Sequence, residues 1–389
     1  MSAATDYDVM IAGGGPVGFA LARLLADTPL RVRLVAPLGG RGAAPVARAA
    51  FRPLALAYPS KQLLERLDLI QASDGTPIRT IHVSQRGGFG RTVIRADDHG
   101  LPGLGYVVDA TELASRILKH AASWTNPAHT PGQVTAWSRD GDHTLVDLAD
   151  AEGVMHQRRT HLLVVADGGA SSGTTVRDYD QIGIVATIKT ERAHENTAYE
   201  RFTSEGPLAL LPYEDRYAVV WSVKTAAATA ITGADDAAFC AALGGAFGNR
   251  LGRFTHAGSR AAYPLVLRRW ADSVTAGIIA IGNAAQTLHP VAGQGLNLGL
   301  RDAEVLAARI CASGAEALAT DTFVRGYLAA RAPDRIATIA ATDFLARAFT
   351  WSAGPATWLR GAGLAALDVF PPARALLARR MMLGSRGIP

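Results

Sequence analysis

The chain has 389 residues, of which 49% are hydrophobic and 19% are charged. This length and composition predict two or three compact domains and exclude an intrinsically disordered protein. The formal net charge of +5 suits an anionic cofactor or surface, but the chain has no Lys/Arg run with interleaved aromatic residues, so nucleic acid is not an expected partner.

The cysteine and histidine patterns argue against disulfides and metals. Cys240 and Cys311 are far apart without metal-ligand spacing, and the ten histidines form no HxxxH or HExxH pattern. Asp6 and Asp8 stand where a signal peptide has its cationic region, and the chain has no long uncharged apolar window that would predict a membrane-spanning helix. We therefore expect a reducing, cytoplasmic location and no metal.

The first predicted unit is a strand, a glycine-rich turn and a helix. Tyr7 to Ala12 is typical of a buried strand, Gly13-Gly14-Gly15-Pro16-Val17-Gly18 follows, and Phe19 to Asp27 has helical apolar spacing. In this setting Gly-x-Gly-x-x-Gly indicates a dinucleotide site. Gly13 permits the tight turn, Gly15 lets a pyrophosphate approach the backbone, and Gly18 lets the helix pack on the strand. The pattern does not separate FAD from NAD.

The second predicted strand, Arg31 to Ala36, departs from the usual dinucleotide-binding pattern. Such a strand normally ends with Asp or Glu, which accepts a hydrogen bond from a ribose hydroxyl. Here Ala36 has that position and Pro37 follows. Loss of one such bond costs about 1 kcal/mol, or roughly tenfold in affinity. We expect either a cofactor that washes off easily or a neighbouring group that replaces the acid.

Three polar residues in the middle of the chain have both a structural and a cofactor-binding interpretation. Arg52 precedes a helix predicted from Ser60 to Leu69 and is either a solvated charge or a contact near a flavin. Asp109 fits a helix capping box. Asp167-Gly168 follows the buried strand Thr160 to Val165, so its carboxylate lies either at the ligand-binding edge of a sheet or in a simple turn.

A long turn rich in glycine and proline runs from Gly282 to Asn297. It lies between a predicted strand, Ile278 to Ile281, and a predicted helix, Leu298 to Ile310. Gly293 and Gly295 have no side chains to block the free backbone N–H groups at the helix N-terminus. Such a site favours a planar group that carries or develops negative charge, and the pyrimidine ring of a reduced flavin is one.

The chain between these motifs is expected to form a substrate layer. Ile182 to Val223 is strand-rich, Ala237 to Leu251 is helical in character and Ala261 to Leu267 is a further predicted strand. The predicted domains are a dinucleotide-binding domain in two parts, 1–180 with a small substrate-side insertion near 78–106 and 271–320, an antiparallel substrate domain at 181–270, and C-terminal helices at 321–389.

The predicted C-terminal helices are strongly basic. From Phe344 to Pro389 the chain has one acid, Asp368, and six arginines at 347, 360, 374, 379, 380 and 386. This tail suits peripheral contact with an anionic membrane, here the inner face of the cytoplasmic membrane. The alternative is a helical cover packed on the core with its arginines solvated, and both can hold.

Three motifs, Gly13–Gly18, Asp167-Gly168 and Gly282–Asn297, occur in an order that resembles the flavoprotein aromatic hydroxylases of the para-hydroxybenzoate hydroxylase fold. The resemblance covers nearly the whole chain. The similarity is greatest to the ubiquinone-biosynthesis branch, and within it to the 2-octaprenyl-6-methoxyphenol hydroxylase (UbiH) type, which also has Asn at position 283. The segments that carry it are His82-Val83-Ser84, Glu200-Arg201-Phe202-Thr203, Thr255-His256-Ala257-Gly258, Ala262-Tyr263-Pro264-Leu265 and Gly282–Pro290. Ala36 and Ala50 replace acids of the branch, whereas Arg52 is kept.

The resemblance implies an α/β fold, with a Rossmann-like FAD-binding domain, an inserted antiparallel β-sheet substrate domain and a C-terminal helical segment. It implies that NAD(P)H reduces FAD and that a flavin hydroperoxide formed with O2 hydroxylates a prenylated phenol. The residues assigned to FAD are Gly13, Gly15, Pro16, Val17, Gly18, Arg52, Val134, Asp167, Gly168, Asn283, Gly293, Gln294, Gly295 and Asn297. His289 and Pro290 would lie near the flavin ring, where His289 either helps to deprotonate the phenol or shapes the turn. Tyr263 would be a wall of a dry pocket.

Two other functions stay open at this point. A flavin reductase or dehydrogenase on this fold would lack oxygen insertion. A flavoprotein-like accessory subunit without cofactor would serve among other ubiquinone-biosynthesis proteins, and the replacements at Ala36 and Ala50 favour it. The intact glycine-rich turns argue against that subunit.

Overall fold

The computed structural model describes residues 5–37, 51–121, 124, 128–168, 174–270, 275–348 and 354–383. Ala50 and Arg386 lie outside these residues. The described strands are β1 (Tyr7–Ala12), β2 (Val32–Ala36), β3 (Pro53–Ala57), β4 (Thr76–Ile78), β5 (Thr80–Gln85), β6 (Arg91–Arg95), β7 (Gly105–Asp109), β8 (Ala128–Asp140), β9 (His143–Asp150), β10 (Met155–Val165), β11 (Thr174–Thr190), β12 (Thr197–Phe202), β13 (Pro207–Tyr213), β14 (Arg216–Lys224), β15 (Phe254–Ala257), β16 (Ala261–Arg269), β17 (Ile278–Ala280) and β18 (Gln286–Thr287). The described helices are α1 (Pro16–Leu24), α2 (Tyr58–Arg66), α3 (Ala110–Ala121), α4 (Thr225–Thr232), α5 (Asp236–Phe247), α6 (Gln294–Cys311), α7 (Asp321–Ala348), α8 (Gly354–Val369) and α9 (Pro371–Leu383).

The first sheet brings the glycine-rich turns together. β1 lies parallel to β2 and β10, β2 is parallel to β8, and β10 is parallel to β17. β9 pairs antiparallel with both β8 and β10. α1 and α6 pack on this sheet through a buried cluster that includes Phe19, Leu21, Leu300 and Leu306. Because β1, β10 and β17 end at the same edge, the turns that follow them converge there.

The second sheet has the strand order β18-β16-β11-β14-β13-β12-β5-β6, and β15 pairs with β11. β5 and β6, which fall in the predicted insertion, form its far edge. Part of one face packs on α5 through Trp221, Phe239 and Leu243. α4 precedes α5 and was not predicted, although its run of alanines favours a helix. A small third sheet has the order β3-β7-β4.

The C-terminal helices pack on the second sheet. The Thr92 hydroxyl donates to the Leu364 carbonyl (2.7 Å), and the Val93 N–H donates to Asp368 Oδ1 (3.1 Å). Arg374 pairs with Asp98 (3.6 Å) and Asp368, so it is not a free solvated charge. For residues 354–383 the structure therefore favours the helical-cover interpretation. No helix in the described parts of the chain is long and apolar enough to cross a bilayer.

Candidate active site

A cavity of about 1300 Å³ lies between the first and the second sheet. One side is formed by the turns after β1, β10 and β17 and by the N-termini of α1 and α6. The second sheet and the C-terminal helices supply the other side, which is mainly apolar. Those lining residues include Ile81, Val83, Ile94, Ala198, Phe202, Ala209, Leu211, Val220, Leu364, Leu367, Leu377 and Met382. The cavity thus joins two exposed helix N-termini to an apolar chamber.

The first turn is shaped for close approach to the backbone. Gly13 has φ +137°, and any side chain there would collide with the Ala166 carbonyl. A side chain at Gly18 would collide with the Gly13 carbonyl. Gly15 is the N-cap of α1 and makes no side-chain cap, and among the described residues a Cβ built on it would have only the Ala166 oxygen within reach, at 4.0 Å. Pro16 starts the helix and, with Val17, lines the same cavity. Gly13 and Gly18 therefore serve packing, whereas Gly15 leaves space for a ligand.

The second turn presents another helix N-terminus. Gly293 has φ +60° and is the N-cap of α6, which also has no side-chain cap. The first-turn N–H groups of an α-helix have no partner within the helix. Gln294 and Gly295 line the cavity here, and a Cβ on Gly295 would lie 3.7 Å from Asn283 Oδ1. An anionic group at this position would meet backbone N–H groups of the first helical turn and the positive end of the helix dipole.

Asn297 holds this turn against β3. Its Nδ2 donates to the carbonyls of Ala55 (3.0 Å) and Gly293 (2.9 Å), and its Oδ1 accepts from the Ala57 N–H (2.8 Å). Both amide hydrogens are therefore used by the protein backbone. Although Asn297 borders the cavity, its side chain positions Gly293 and has no N–H left for a cofactor.

A buried ion network fixes the start of the same turn. Asp302 Oδ2 accepts hydrogen bonds from the Gly282 N–H (3.2 Å) and the Gln286 amide (3.1 Å). The same carboxylate pairs with Arg331 (2.7 Å) and Arg335 (3.1 Å) on α7. This arrangement links the turn after β17 to two helices, so the position of Asn283 depends on packing far from the cavity.

The remaining predicted cofactor residues also border the cavity. Arg52, Val134, Asp167, Gly168 and Asn283 all line it. Asp109, in contrast, accepts from the N–H groups of Thr111 (2.6 Å) and Glu112 (3.2 Å), which confirms the helix cap. No group of His, Cys, Asp and Glu in the described residues could hold a metal ion.

Ala36, which replaces the expected acid, is fully buried at the end of β2. Its carbonyl lies 3.0 Å from His129 Nε2. β2 pairs with β8 through Ala36 and Pro131, and Gln133, two residues further along β8, lines the cavity, as Pro37 does. Gln133 is therefore a neighbouring side chain that can offer a ribose hydroxyl the hydrogen bond that Ala36 lacks.

His289 is buried and has both ring nitrogens engaged. The Val291 N–H donates to Nδ1 (3.2 Å), so Nε2 carries the hydrogen and donates to Gln181 Oε1 (3.1 Å). The Gln181 amide is oriented by its own donation to the Glu205 carbonyl (2.8 Å). Burial lowers the pKa of His289 to about 4. A neutral imidazole without a free lone pair shapes the turn and is a poor base, which favours the structural one of its two predicted roles.

Tyr263 and Pro290 both lie at the cavity wall. Tyr263 is on β16, opposite Gly183 of β11. Burial raises the pKa of the Tyr263 hydroxyl, and the nearby charge of Arg52 acts in the opposite direction. The tyrosine is therefore a neutral hydrogen-bonding group at the boundary between the cofactor side and the apolar chamber.

Glu200 is a candidate functional residue that sequence reasoning did not assign to the site. On β12 it pairs with Ala209 and Val83, and all three side chains line the cavity. Its Oε1 is buried without a hydrogen-bond partner among the described residues. Burial raises the pKa of this carboxyl to about 7. The sequence held one signal for this role. Side chains alternate between the two faces of a strand, so Glu200 shares a face of β12 with the apolar residues Ala198 and Phe202.

The residues present fit FAD. Two uncapped helix N-termini face one cavity, the space beside Gly15 is open for a pyrophosphate, and the adjoining chamber can take a ring. The same edge of the sheet carries Asp167 and Asn283, which can bind the sugar and ribityl parts.

Comparison with known proteins agrees with this geometry. The chain is 32% identical to ubiquinone hydroxylase UbiL of Rhodospirillum rubrum, over 96% of this chain and 89% of that protein. It is 29% identical to 3-demethoxyubiquinol 3-hydroxylase of Escherichia coli, over 93% and 94%. The crystal structure of p-nitrophenol 4-monooxygenase PnpA from Pseudomonas putida DLL-E4 has the same fold, with a TM-score of 0.76, 16% identity and coverage of 99% and 100%. The mixed α/β fold class is thereby confirmed. Since the model of the FAD binding domain matches residues 6–334, the chain belongs to the family of proteins built on that domain.

Proposed function

We propose that this protein is an FAD-dependent aromatic hydroxylase that acts on a polyprenylated phenol in ubiquinone biosynthesis, with NAD(P)H and O2. The observation that carries the proposal is the single continuous cavity that joins two uncapped helix N-termini to an apolar chamber containing Glu200. The relatives named above are ubiquinone hydroxylases, and they supply the substrate class.

FAD, once reduced by NAD(P)H, supplies the activated oxygen for the reaction. The residues of this chain bind and orient the cofactor and the substrate, and they protect the reaction from water. The N–H groups at the start of α6, beside Gly293 and Gly295, would stabilise negative charge on a reduced flavin bound there. The apolar residues of the second sheet and of α8 and α9 exclude water and accept a prenyl tail.

Glu200 is placed to handle the phenol proton. A carboxyl whose pKa lies near 7 is half ionised at neutral pH, and it can accept a proton from a phenol hydroxyl. A phenolate is a more nucleophilic ring than a phenol. Glu200, with its unpartnered oxygen, therefore suits this task better than His289, whose two nitrogens are engaged.

Within the ubiquinone hydroxylases we propose the 2-octaprenyl-6-methoxyphenol hydroxylase type. Asn283 and the segment around Glu200 support it, and Asn283 lines the cofactor cavity. Identification of the ring position hydroxylated, by mass spectrometry and NMR of the product, tests this assignment. A product hydroxylated at another ring carbon would move the chain to a different type.

For location we propose the cytoplasm, with peripheral contact at the inner face of the membrane. The exposed apolar side chains of α8 (Trp358, Leu359, Val369), of α9 (Leu376) and of Phe370 between the two helices support this contact. Sedimentation with vesicles, with and without residues 354–389, tests it. Other ubiquinone-biosynthesis proteins are proposed partners, to be tested by co-purification.

The experiment that tests the function compares two glycine variants. Gly15→Ala adds a methyl that, among the described residues, has only the Ala166 oxygen within reach, so the fold should tolerate it, but the methyl occupies the pyrophosphate approach. Gly245→Ala, on α5, adds a methyl with no described atom within 4 Å and serves as the control. We expect Gly15→Ala to weaken FAD binding at least tenfold, as measured by flavin absorbance after desalting, with an unchanged apoprotein Tm. Gly245→Ala should retain FAD.

Oxygen uptake with substrate then separates the alternatives. Substrate-dependent O2 consumption with a hydroxylated product is expected. NAD(P)H oxidation without product would indicate a flavin reductase. If wild-type protein retains no FAD at high added concentration, the accessory-subunit interpretation replaces the enzyme.

A further inference from the structure

A second pocket, of about 380 Å³, lies on the opposite face of the second sheet from the cavity. Side chains alternate between the two faces of a strand. On β5, Ile81 and Val83 line the cavity, whereas His82 and Ser84 line the second pocket. On β12 the same alternation sends Glu200 to the cavity, and Arg201 lines the pocket.

Three adjacent strands place a row of side chains across the floor of this pocket. Ser84 of β5 is paired with Arg91 of β6 and with Arg201 of β12. Directly paired residues share a face, so two arginines flank one serine. Arg201 Nη1 donates to Ser84 Oγ at 3.2 Å. Arg250 joins the lining from the short 3-10 turn Asn249–Leu251.

The floor holds polar atoms that nothing in the described structure satisfies. His82 is only 6% exposed, yet neither of its ring nitrogens has a hydrogen-bond partner among the described residues. Arg201 Nε is likewise buried without a described acceptor. Buried polar atoms are nearly always hydrogen-bonded in folded proteins. Orphaned atoms that line a pocket therefore point to a ligand that completes them.

The positive charge of the pocket indicates that this ligand is an anion. Its described lining contains three arginines and a histidine and no Asp or Glu. Burial, followed by the charges of Arg250, Arg91 and Arg201, lowers the pKa of His82 to about 4. Burial, followed by Arg250 and Arg86, also lowers the pKa of Arg201. An anion in the pocket would relieve this repulsion and accept the unused hydrogen bonds.

We propose that His82, Ser84, Arg91, Arg201 and Arg250 form a binding site for a phosphate-type oxyanion. Arginine forks match the tetrahedral oxygens of a phosphate, and the N–H of a neutral imidazole also donates to them. The two sources of such a group are the headgroup of an anionic lipid and a soluble phosphate. Beside the pocket, on the β5–β6 turn, Phe89 is 49% exposed and its ring lies 6.1 Å from that of Trp358, which is 62% exposed. These rings favour the lipid source.

The test uses the full-length holoprotein and two probes. Inorganic phosphate is titrated by calorimetry, and vesicles of phosphatidylglycerol are compared with vesicles of phosphatidylcholine by flotation. The test variant is Arg91→Gln/Arg250→Gln, in which both positions are exposed and neither lines the cavity. The control is Arg325→Gln on α7, whose side chain is 66% exposed.

We expect the double variant to lose at least tenfold in phosphate affinity or in phosphatidylglycerol binding, while Arg325→Gln loses less than twofold. Binding to phosphatidylglycerol vesicles supports the site with a lipid source. Phosphate binding without vesicle binding supports it with a soluble source. If neither probe binds, or if the double variant binds both as well as the control, the site does not exist. His82→Gln should weaken binding in the same way, which separates the pocket from a general effect of surface charge.

Discussion

Two regions of this molecule concentrate arginines and differ in the carboxylates that surround them. Between α6 and α7, Arg301, Arg331 and Arg335 each meet a carboxylate of Asp302 or Asp334. On the outer face of the β5–β12 pair, Arg201 and its neighbours meet no carboxylate among the described lining residues. The first region has its counter-charges built in, so its arginines hold the fold. The second region lacks them, so its arginines are available to a ligand.

Glu200, like the arginines of the second region, is an ionisable group without a built-in counter-charge. It is an unmatched charge on the cavity face of the same strands, with one oxygen lacking a partner in the described structure. The comparison therefore separates ionisable groups that stabilise the protein from those that do its chemistry. Substitutions at neutral pH should destabilise the fold in the matched region and impair function in the unmatched one.

The largest expected effect is on stability and comes from Asp302→Asn. The change removes the Asp302 carboxylate from the buried Arg331 and Arg335, leaves Arg331 paired with Asp334 alone among the described residues, and weakens the anchor of Gly282. We expect a loss of about 3–5 kcal/mol in the free energy of unfolding, measured with urea. The control Asp321→Asn removes an exposed partner of Arg325 and should cost less than about 1 kcal/mol. Equal losses in the two variants would remove the distinction between matched and solvated pairs.

Glu200→Gln should show the opposite pattern. Removal of the proton acceptor is expected to lower kcat by about 10²-fold at pH 7 and to abolish the ionisation near pH 7 from the rate profile. The comparison variant is Glu152→Gln on the exposed turn after β9, which should keep both. An unchanged profile in Glu200→Gln would exclude this carboxyl from proton transfer.

The same variant has a stability consequence with a definite sign. Because burial raises the pKa of Glu200 from its ordinary value to about 7, the folded state holds this proton more tightly than the unfolded state. Its contribution is fully present below the unfolded pKa and is lost as pH rises through 7. At pH 8 Glu200→Gln should be more stable than the wild type, by about 3 kcal/mol in urea unfolding. A less stable variant would mean that the carboxylate has a partner.

Acid pH should reveal two of the buried histidines, His82 and His289. The pKa values of His82 and His289 are lowered to about 4, so each stays neutral in the folded state while the unfolded state takes up a proton below pH 6.5. Stability is therefore lost as pH falls from 6.5 towards 4, with about 2 kcal/mol per histidine at pH 5. His82→Gln should reduce the loss of unfolding free energy between pH 6.5 and pH 4 by the contribution of one histidine. Added phosphate should reduce this loss in the wild type in the same way if phosphate binds in the pocket beside His82. A slope unaffected by His82→Gln would place that ring in solvent.

The smallest expected effect is on FAD affinity and concerns the acid that Ala36 replaces. Ala36→Asp restores the acid at the end of β2 and should tighten FAD binding by up to about tenfold. Gln133→Ala tests the neighbour that can replace it and should weaken FAD binding by a similar factor. Flavin fluorescence titration measures both. No change in either variant would mean that the ribose is held by other groups.

Motifs with local physics were predictable from the sequence. The turns at Gly13–Gly18 and Gly282–Asn297 depend on glycine at fixed spacing after a strand, and the structure places both at one cavity. The cap at Asp109 was predictable for the same reason. The roles of Asn297 and His289 were not, because their partners Ala55 and Gln181 are 242 and 108 residues away. Those partnerships come from tertiary packing.

Glu200 and Arg201 belong to a segment that carries the family resemblance, but their separate functions could be assigned only once the sheet was known. The side-chain alternation could be read from the sequence, whereas the identity of each face could not. It depends on the pairing of β12 with β5, which joins chain segments more than a hundred residues apart.

That pairing also constrains how this protein can evolve. Because adjacent residues of β12 serve a reaction chamber on one side and a charged pocket on the other, a single inserted or deleted residue would turn the carboxyl outwards and the guanidinium inwards. Both sites would be lost in one step. Length variation among descendants of this chain should therefore be confined to the loops that flank β5 and β12, and inside these strands it should be tolerated only in pairs of residues.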